Sequence, residues 1–389
     1  MSTARPHRKH AKLSRPALGE FGRFEWSILG TPCGEIQRLA RELCGLLQST
    51  YRMAYVDADH KNADEAAASE GLPETALGRG ASMGYTDKIN FHRFDSKSTF
   101  DSYQFRQWFN GEDLILVNGN HFQAARQIVV IDPRKEQSLQ RKLDRLTDVE
   151  LLLLAEEGLE VPEFLKEALP DWASLPCHVM KDVEAISGFL RGRMAQLRPA
   201  LAGLVLAGGR SQRMGQDKGL LDYHGKPQRV HLLELLDQYC ELVHLSVRPG
   251  QVVAIDMATL EDSFCDLGPY GAILSAFRQQ PDYAWLVVAV DLPLLGPHAL
   301  EQLLAARNPS KVATAFYNPE TDFPEPLITI WEPRAYPILL QFLAQGHSCP
   351  RKVLINSDIE LVTLEDPAVL MNANRPEDVV LAKEKLQRK

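Results

Sequence analysis

The sequence predicts a two-domain α/β protein built on largely parallel sheets. Three observations lead there. The chain has 389 residues, more than one ordinary hydrophobic core organises. Short apolar runs alternate along it with stretches of helical periodicity. The runs are strongly apolar, as strands are when helices cover both faces of a sheet.

Each element follows in order. Residues 1–22 form a basic tail (Arg5, His7, Arg8, Lys9, His10, Lys12, Arg15) with no apolar segment behind it, so a solvated tail is expected and a secretory signal is not. Residues 24–29 read as a first strand, 30–34 as a turn, and Ile36, Leu39, Ala40, Leu43, Leu46 and Leu47 recur at helical spacing. A second strand over 51–56 ends at Asp57-Ala58-Asp59-His60, and the polar stretch 62–79 reads as a loop. Strands are expected at 113–117 and 127–133, and an amphipathic helix over 141–154. Prolines crowd 162–176 and a helix follows over 182–197, which places the junction there: domains over 23–170 and 199–389, joined by a linker and helix over 171–198.

The second domain restarts the pattern. A strand at 202–207 leads into a glycine-rich loop and a helix over 227–238. Then come a strand at 242–247, a helix at 270–278, a strand at 284–290 ending at Asp291, a helix at 299–307, strands at 312–316 and 327–331, and a helix at 336–344.

Composition narrows the function. Charged residues at 24% and aromatics at 8% fit a soluble globular chain. A net charge of −8 gives no global attraction to nucleic acid or to an acidic membrane, so a phosphate-bearing ligand needs a local positive site. The six cysteines (Cys33, Cys44, Cys177, Cys240, Cys265, Cys349) form no Cys-x-x-Cys pair and no zinc-like spacing with histidine, which suits a reducing cytoplasm. The apolar runs 151–154 and 285–290 fall far short of a membrane span.

The chemistry concentrates in Leu206-Ala207-Gly208-Gly209-Arg210-Ser211-Gln212-Arg213-Met214-Gly215-Gln216-Asp217-Lys218. This segment follows a buried strand and precedes a helix, where open α/β sheets bind ligands. Adjacent glycines let main-chain amides approach an anion. Ser211 adds a donor, and Arg213 and Lys218 add positive charge, one as a planar fork and one as a point charge. The segment lacks both the Gly-Lys-Ser/Thr ending of a P-loop and the Gly-x-Gly-x-x-Gly spacing of dinucleotide folds. Asp291, at a neighbouring strand end, has the chemistry of a metal ligand or of a helix N-cap.

This segment resembles the signature Leu-Ala-Gly-Gly-x-Ser-x-Arg-Met-Gly-x-Asp-Lys of the molybdenum cofactor guanylyltransferases, and the resemblance runs from Leu201 to the C-terminus. Glu261-Asp262-Ser263, Gly268-Pro269-Tyr270-Gly271, Asp291-Leu292-Pro293 and Asn372-Ala373-Asn374-Arg375-Pro376-Glu377-Asp378 are similar to later family segments, in the same order. The resemblance implies a Rossmann-like nucleotide-diphospho-sugar transferase fold and transfer of GMP from GTP to the phosphate of molybdopterin. It implies Lys218, Asp291 and Arg213 as catalytic groups and Mg²⁺ on Asp291. It also implies nucleotide contacts from Leu206, Ala207, Gly208, Gly209, Ser211, Lys218, Asp262 and Asp291, and acceptor contacts from Asn372 and Asn374. A molybdoenzyme or another cofactor-pathway protein is the implied partner. Three departures stand out: Ser246 where the family carries asparagine, Gly271-Ala272 in reversed order, and the text of residues 323–327. A cytidylyltransferase or sugar-nucleotide pyrophosphorylase of the same fold stays open, as does a non-catalytic carrier of the cofactor.

The first domain is similar, more distantly, to the P-loop-type adaptor of molybdopterin guanine dinucleotide biosynthesis, in degenerate form. Gly30-Thr31-Pro32-Cys33-Gly34-Glu35-Ile36-Gln37 has no Gly-Lys-Ser/Thr and sets an acid and an apolar group where a lysine would meet phosphate, so efficient GTP hydrolysis is not expected. Asp57, Asp59 and His60 read as a solvated loop rather than a metal cluster.

Overall fold

The computed structural model describes residues 19–59, 75–207, 217–251, 253 and 257–387. The chain divides into two compact units, residues 1–197 and 198–389.

In the first unit, six parallel strands are ordered β2-β5-β1-β6-β7-β8: β1 (Glu25–Leu29), β2 (Met53–Val56), β5 (Leu114–Asn118), β6 (Arg126–Ile131), β7 (Val149–Leu154) and β8 (Cys177–Val179). A separate antiparallel hairpin joins β3 (Met83–Asp87) to β4 (His92–Ser96). Helix α1 (Cys33–Leu47) buries Ile36, Leu39, Ala40, Leu43 and Leu47, one stripe at 3.6-residue spacing. These side chains join Trp26, Ile28, Leu116 and Leu151 in one core with Ile186 and Leu190 of α3 (Val183–Gln196). A shorter helix, α2 (Ser102–Trp108), starts at a reciprocal capping box between Asp101 and Gln104.

Three expectations are corrected here. Residues 149–154 form a strand, not the end of a helix. Leu151, Leu152 and Leu153 are all buried, and consecutive apolar side chains point to opposite faces of a strand covered on both sides. Of residues 171–198, expected as a linker and helix, all but Arg198 belong to the first unit, because Cys177–Val179 pairs with β7 and α3 packs on the first core. The end of the basic tail is not solvated: Phe21 is fully buried, its ring 4.9 Å from Phe105 and 5.7 Å from Phe122. The rest of the tail, residues 1–18, lies outside the described residues, as do 60–74 of the polar stretch.

The second unit holds a seven-stranded sheet ordered β11-β10-β9-β12-β14-β13-β15. Its strands are β9 (Leu201–Leu206), β10 (Leu242–Val247), β11 (Thr259–Glu261), β12 (Ala284–Ala289), β13 (Ala313–Asn318), β14 (Phe323–Trp331) and β15 (Glu360–Thr363). Only β14 runs antiparallel, to both β12 and β13. Apolar clusters cover both faces. One gathers Leu232 and Leu236 of α4 (Gln228–Asp237) with Leu300 and Leu303 of α6 (Pro297–Ala305). The other gathers Tyr270, Ile273 and Phe277 of α5 (Pro269–Gln279) with Leu339 of α7 (Ala335–Ala344). Helix α8 (Pro376–Gln387) is the last helix among the described residues. Among the described residues, no helix is long and apolar enough to cross a membrane.

Candidate functional site

The four parallel strands β11, β10, β9 and β12 end side by side. Leu206 is in register with Ser246 and with Ala289, and Ser246 with Leu260. The residues just past these ends therefore gather at one edge, the position where open α/β sheets bind ligands. A cleft of about 820 Å³ opens there, lined among others by Leu206, Ala207, Lys218, Ser246, Asp262 and Asp291.

Lys218 opens a single helical turn capped by Asp217, whose Oδ1 accepts from the Gly219 amide at 2.9 Å. The Lys218 ammonium lies 3.4 Å from Asp291 Oδ2 and donates to Asn374 Oδ1 at 2.6 Å. Asp291 follows the end of β12, and its turn is held by main-chain contacts. The Ala373 amide donates to the Asp291 carbonyl at 2.8 Å, Gln228 Nε2 donates to the Leu292 carbonyl at 3.2 Å, and His224 Nε2 donates to the Pro293 carbonyl at 3.0 Å. The Ala373 bond ties the late Asn-x-Asn segment to the Asp291 turn. That segment is held in turn by Asp378, whose Oδ2 accepts from the Asn374 and Arg375 amides.

Asp291 Oδ1 is buried without a hydrogen-bond partner among the described residues. A buried anionic oxygen with open acceptor capacity suits a cation. Among the described residues no cluster of three His, Cys, Asp or Glu could hold a metal, so a cation here would rest on this one carboxylate plus ligand and water oxygens. Mg²⁺ is commonly bound in that way. Tyr223 adds a second buried, unpartnered group among the described residues. Burial, then the charges of Asp291 and Asp378, push its hydroxyl up to about 12, so it stays a neutral donor.

Asp262 follows β11 on the other side of the cleft. Its amide donates to the Val247 carbonyl, and its Oδ1 accepts from Ser246 Oγ at 2.9 Å. Burial raises the Asp262 carboxyl above the ordinary aspartate range, and the Ser246 bond pulls the other way. The next residues are pinned to α5: Ser275 Oγ accepts from the amides of Ser263 at 2.9 Å and Phe264 at 3.2 Å. A Cβ at Gly271 would lie 2.0 Å from the Phe264 carbonyl oxygen, so the family-type glycine-proline turn needs glycine there for close approach.

The structure thus brings Leu206, Ala207, Lys218, Asp262 and Asp291 to one cleft, with Asn374 on Lys218. Asn372 is not among the cleft-lining residues, and its Nδ2 donates to the Leu370 carbonyl of its own turn. Gly208, Gly209, Ser211 and Arg213 lie outside the described residues. Sequence reasoning missed Tyr223, His224, Gln228 and the Ala373 amide. The last acts through its main chain and carries no side-chain signal, whereas Ser246 was visible as a departure.

In the first unit the turn after β1 is built for packing. Gly30 has φ +98°, and a Cβ there would meet the Val130 carbonyl oxygen at 2.2 Å. Thr31 Oγ1 donates to Asp132 at 2.6 Å, Ile36 is fully buried, and Glu35 pairs with Arg38 at 2.7 Å. Asp57 accepts from Gln37, Tyr55, Asn118 and the Ala58 amide; burial pushes its carboxyl up, but these donors hold it below its ordinary value. Its acceptor sites are filled without a metal, while His60 lies outside the described residues.

With this geometry in view, comparison with known proteins gives four matches. The family profile described as a MobA-like NTP transferase domain matches residues 203–360. A molybdenum cofactor biosynthesis bifunctional protein of Synechocystis is 37% identical over 46% of this chain and 52% of its own length. A molybdenum cofactor guanylyltransferase of Pseudomonas putida is 30% identical over 47% of this chain and 98% of its own. The chain spans about half the length of the first curated relatives it matches. A solved structure of molybdopterin-guanine dinucleotide biosynthesis protein A from Archaeoglobus fulgidus has 21% identity and a TM-score of 0.42, covering 48% of this chain and 100% of that one.

Proposed function

The chain belongs to the molybdenum cofactor guanylyltransferase family, and from that premise we propose that its second unit transfers GMP from GTP to the phosphate of molybdopterin, releasing pyrophosphate. One observation carries the reading: Lys218, in the short helical turn after β9, and Asp291, just past the end of β12, lie 3.4 Å apart, close enough to serve one triphosphate.

The reaction joins an acceptor phosphate oxygen to the α-phosphorus of GTP and breaks the bond to pyrophosphate. Little of this requires covalent participation by the protein, so positioning and charge neutralisation dominate. Asp291 would hold Mg²⁺, which when bound offsets the charge of the triphosphate and of the leaving group. Lys218 neutralises negative charge developing on the phosphates, and Asn374 keeps its ammonium directed there. Leu206, Ala207 and Gly208 hold the nucleotide, and the amides of Gly208 and Gly209, with Ser211 and Arg213, bind the phosphates. Asp262 accepts guanine N–H groups, and Asn372 and Asn374 meet the molybdopterin side. A molybdoenzyme or another cofactor-pathway protein receives the product in the cytoplasm.

The test supplies the full chain with Mg²⁺, molybdopterin and each of the four nucleoside triphosphates, and measures pyrophosphate release. GTP alone is expected to support release, and only when molybdopterin is present. Release with CTP in place of GTP, or with a sugar phosphate in place of molybdopterin, would overturn the assignment.

A further inference from the structure

We propose that Ser246 sets the base specificity of the cleft by holding the Asp262 carboxylate in the one orientation that accepts two neighbouring N–H donors from guanine. The inference rests on the guanylyl-transfer reading above and assigns a role to a residue that departs from the family pattern.

Ser246 sits at the end of β10, only 1% exposed, between Leu206 on one neighbouring strand and Leu260 on the other. Its hydroxyl has a single proton to donate, and the acceptor in place is Asp262 Oδ1 at 2.9 Å. With that proton committed, Ser246 has no donor left for a ligand. It therefore acts through Asp262, as a positioning residue.

The Asp262 main chain is already fixed by its amide bond to Val247 and by the Ser275 hydroxyl on the two following amides. The side-chain rotation remains, and the Ser246 bond is the side-chain hydrogen bond that fixes it among the described residues. An ionised carboxylate offers about four acceptor positions. One is taken by Ser246, which leaves Oδ2 and the remaining Oδ1 position toward the cleft that both residues line.

Two adjacent N–H donors, the ring N1–H and the 2-amino group, match that pair of acceptors, and guanine carries both. Hypoxanthine keeps N1–H and lacks the amino group. Cytosine and adenine present one amino group beside an unprotonated ring nitrogen, which would face the carboxylate with like polarity. Burial favours the protonated carboxyl, which could accept less well, and the Ser246 hydroxyl opposes that tendency.

The experiment is calorimetric titration of the full-length chain with GTP and with ITP, in wild type, Ser246→Ala and Ser246→Thr, alongside melting curves. A hydrogen bond to a charged group is worth roughly ten- to a hundredfold in affinity, so wild type should prefer GTP over ITP by about that factor. Ser246→Ala should reduce the preference to about threefold or less, through a larger loss of binding for GTP, which uses both acceptors, than for ITP, which uses one, and Ser246→Thr should restore it. An unchanged ratio in Ser246→Ala, or equal losses for both nucleotides, would refute the role of Ser246 while leaving guanylyl transfer standing. Wild type that fails to bind GTP would instead refute the functional reading itself. Should Ser246→Ala melt below the assay temperature, Ser246→Cys, which keeps the size but donates weakly, is judged by the same ratios.

Discussion

At the scale of single residues, the site depends on a few charged groups with incomplete partners. Asp291 keeps one buried oxygen unpartnered among the described residues, and Lys218 is steered by a 2.6 Å bond to Asn374. Removing the charge at Asp291 deletes the proposed cation ligand while leaving the main-chain bonds of its turn. Asp291→Asn should lower turnover by at least about a hundredfold, comparable to losing one transition-state charge contact, with an unchanged melting temperature. Asn374→Ala leaves the lysine in place but less directed, and about a tenfold loss is expected in steady-state assays. These residues were legible in the sequence because a carboxylate just past a strand and a lysine closing a glycine-rich loop advertise chemistry. The Ala373 amide and Tyr223 were not, because a main-chain bond and a buried tyrosine have no spacing pattern to read.

At the scale of elements, two features make predictions. Gly271 lies in the first turn of α5, where a Cβ would press on the Phe264 carbonyl. Gly271→Ala should cost about 1–3 kcal/mol in denaturant unfolding, since the contact is with main chain that cannot swing away. His231, in α4, stacks on His224 with ring centroids 3.7 Å apart. Burial first, then the charges of His224 and Lys226, push it down to about 4, against the opposing pull of Glu234 and of a hydrogen bond to the Leu295 main chain. Between the ordinary histidine value near 6.5 and about 4, the unfolded chain takes up a proton that the folded chain refuses. The contribution is therefore whole above that range and is lost as pH falls through it. Melting temperatures should drop more steeply over this range in wild type than in His231→Phe; parallel curves would show that His231 titrates normally. Element reading from sequence worked where runs were long enough to show a period, as in α1 and β9. It failed for β8 and β11, whose three residues each show no period, and for the hairpin, whose Tyr85, Phe91 and Phe94 are exposed rather than buried on one face. At 149–154, consecutive leucines satisfied a helical template as well as a strand.

At the scale of the whole molecule, each unit has its own sheet and its own apolar clusters. The first unit keeps a parallel sheet and a strand-turn-helix opening. The turn and first helical residues after β1 present Pro32, Glu35 and the buried Ile36, with no lysine to meet a phosphate. The full-length Lys218→Ala chain, incubated with GTP and Mg²⁺, should release no inorganic phosphate above background; steady release would locate a nucleotide-hydrolysing site in the first unit. The central claim concerns the second unit, and following the label tests it most directly. With molybdopterin and Mg²⁺, GTP labelled at the α-phosphate should pass its label into a molybdopterin dinucleotide in wild type and not in Asp291→Asn, while GTP labelled at the γ-phosphate should yield only labelled pyrophosphate. Label from the γ-phosphate on molybdopterin, or α-label transfer undiminished in Asp291→Asn, would contradict the account.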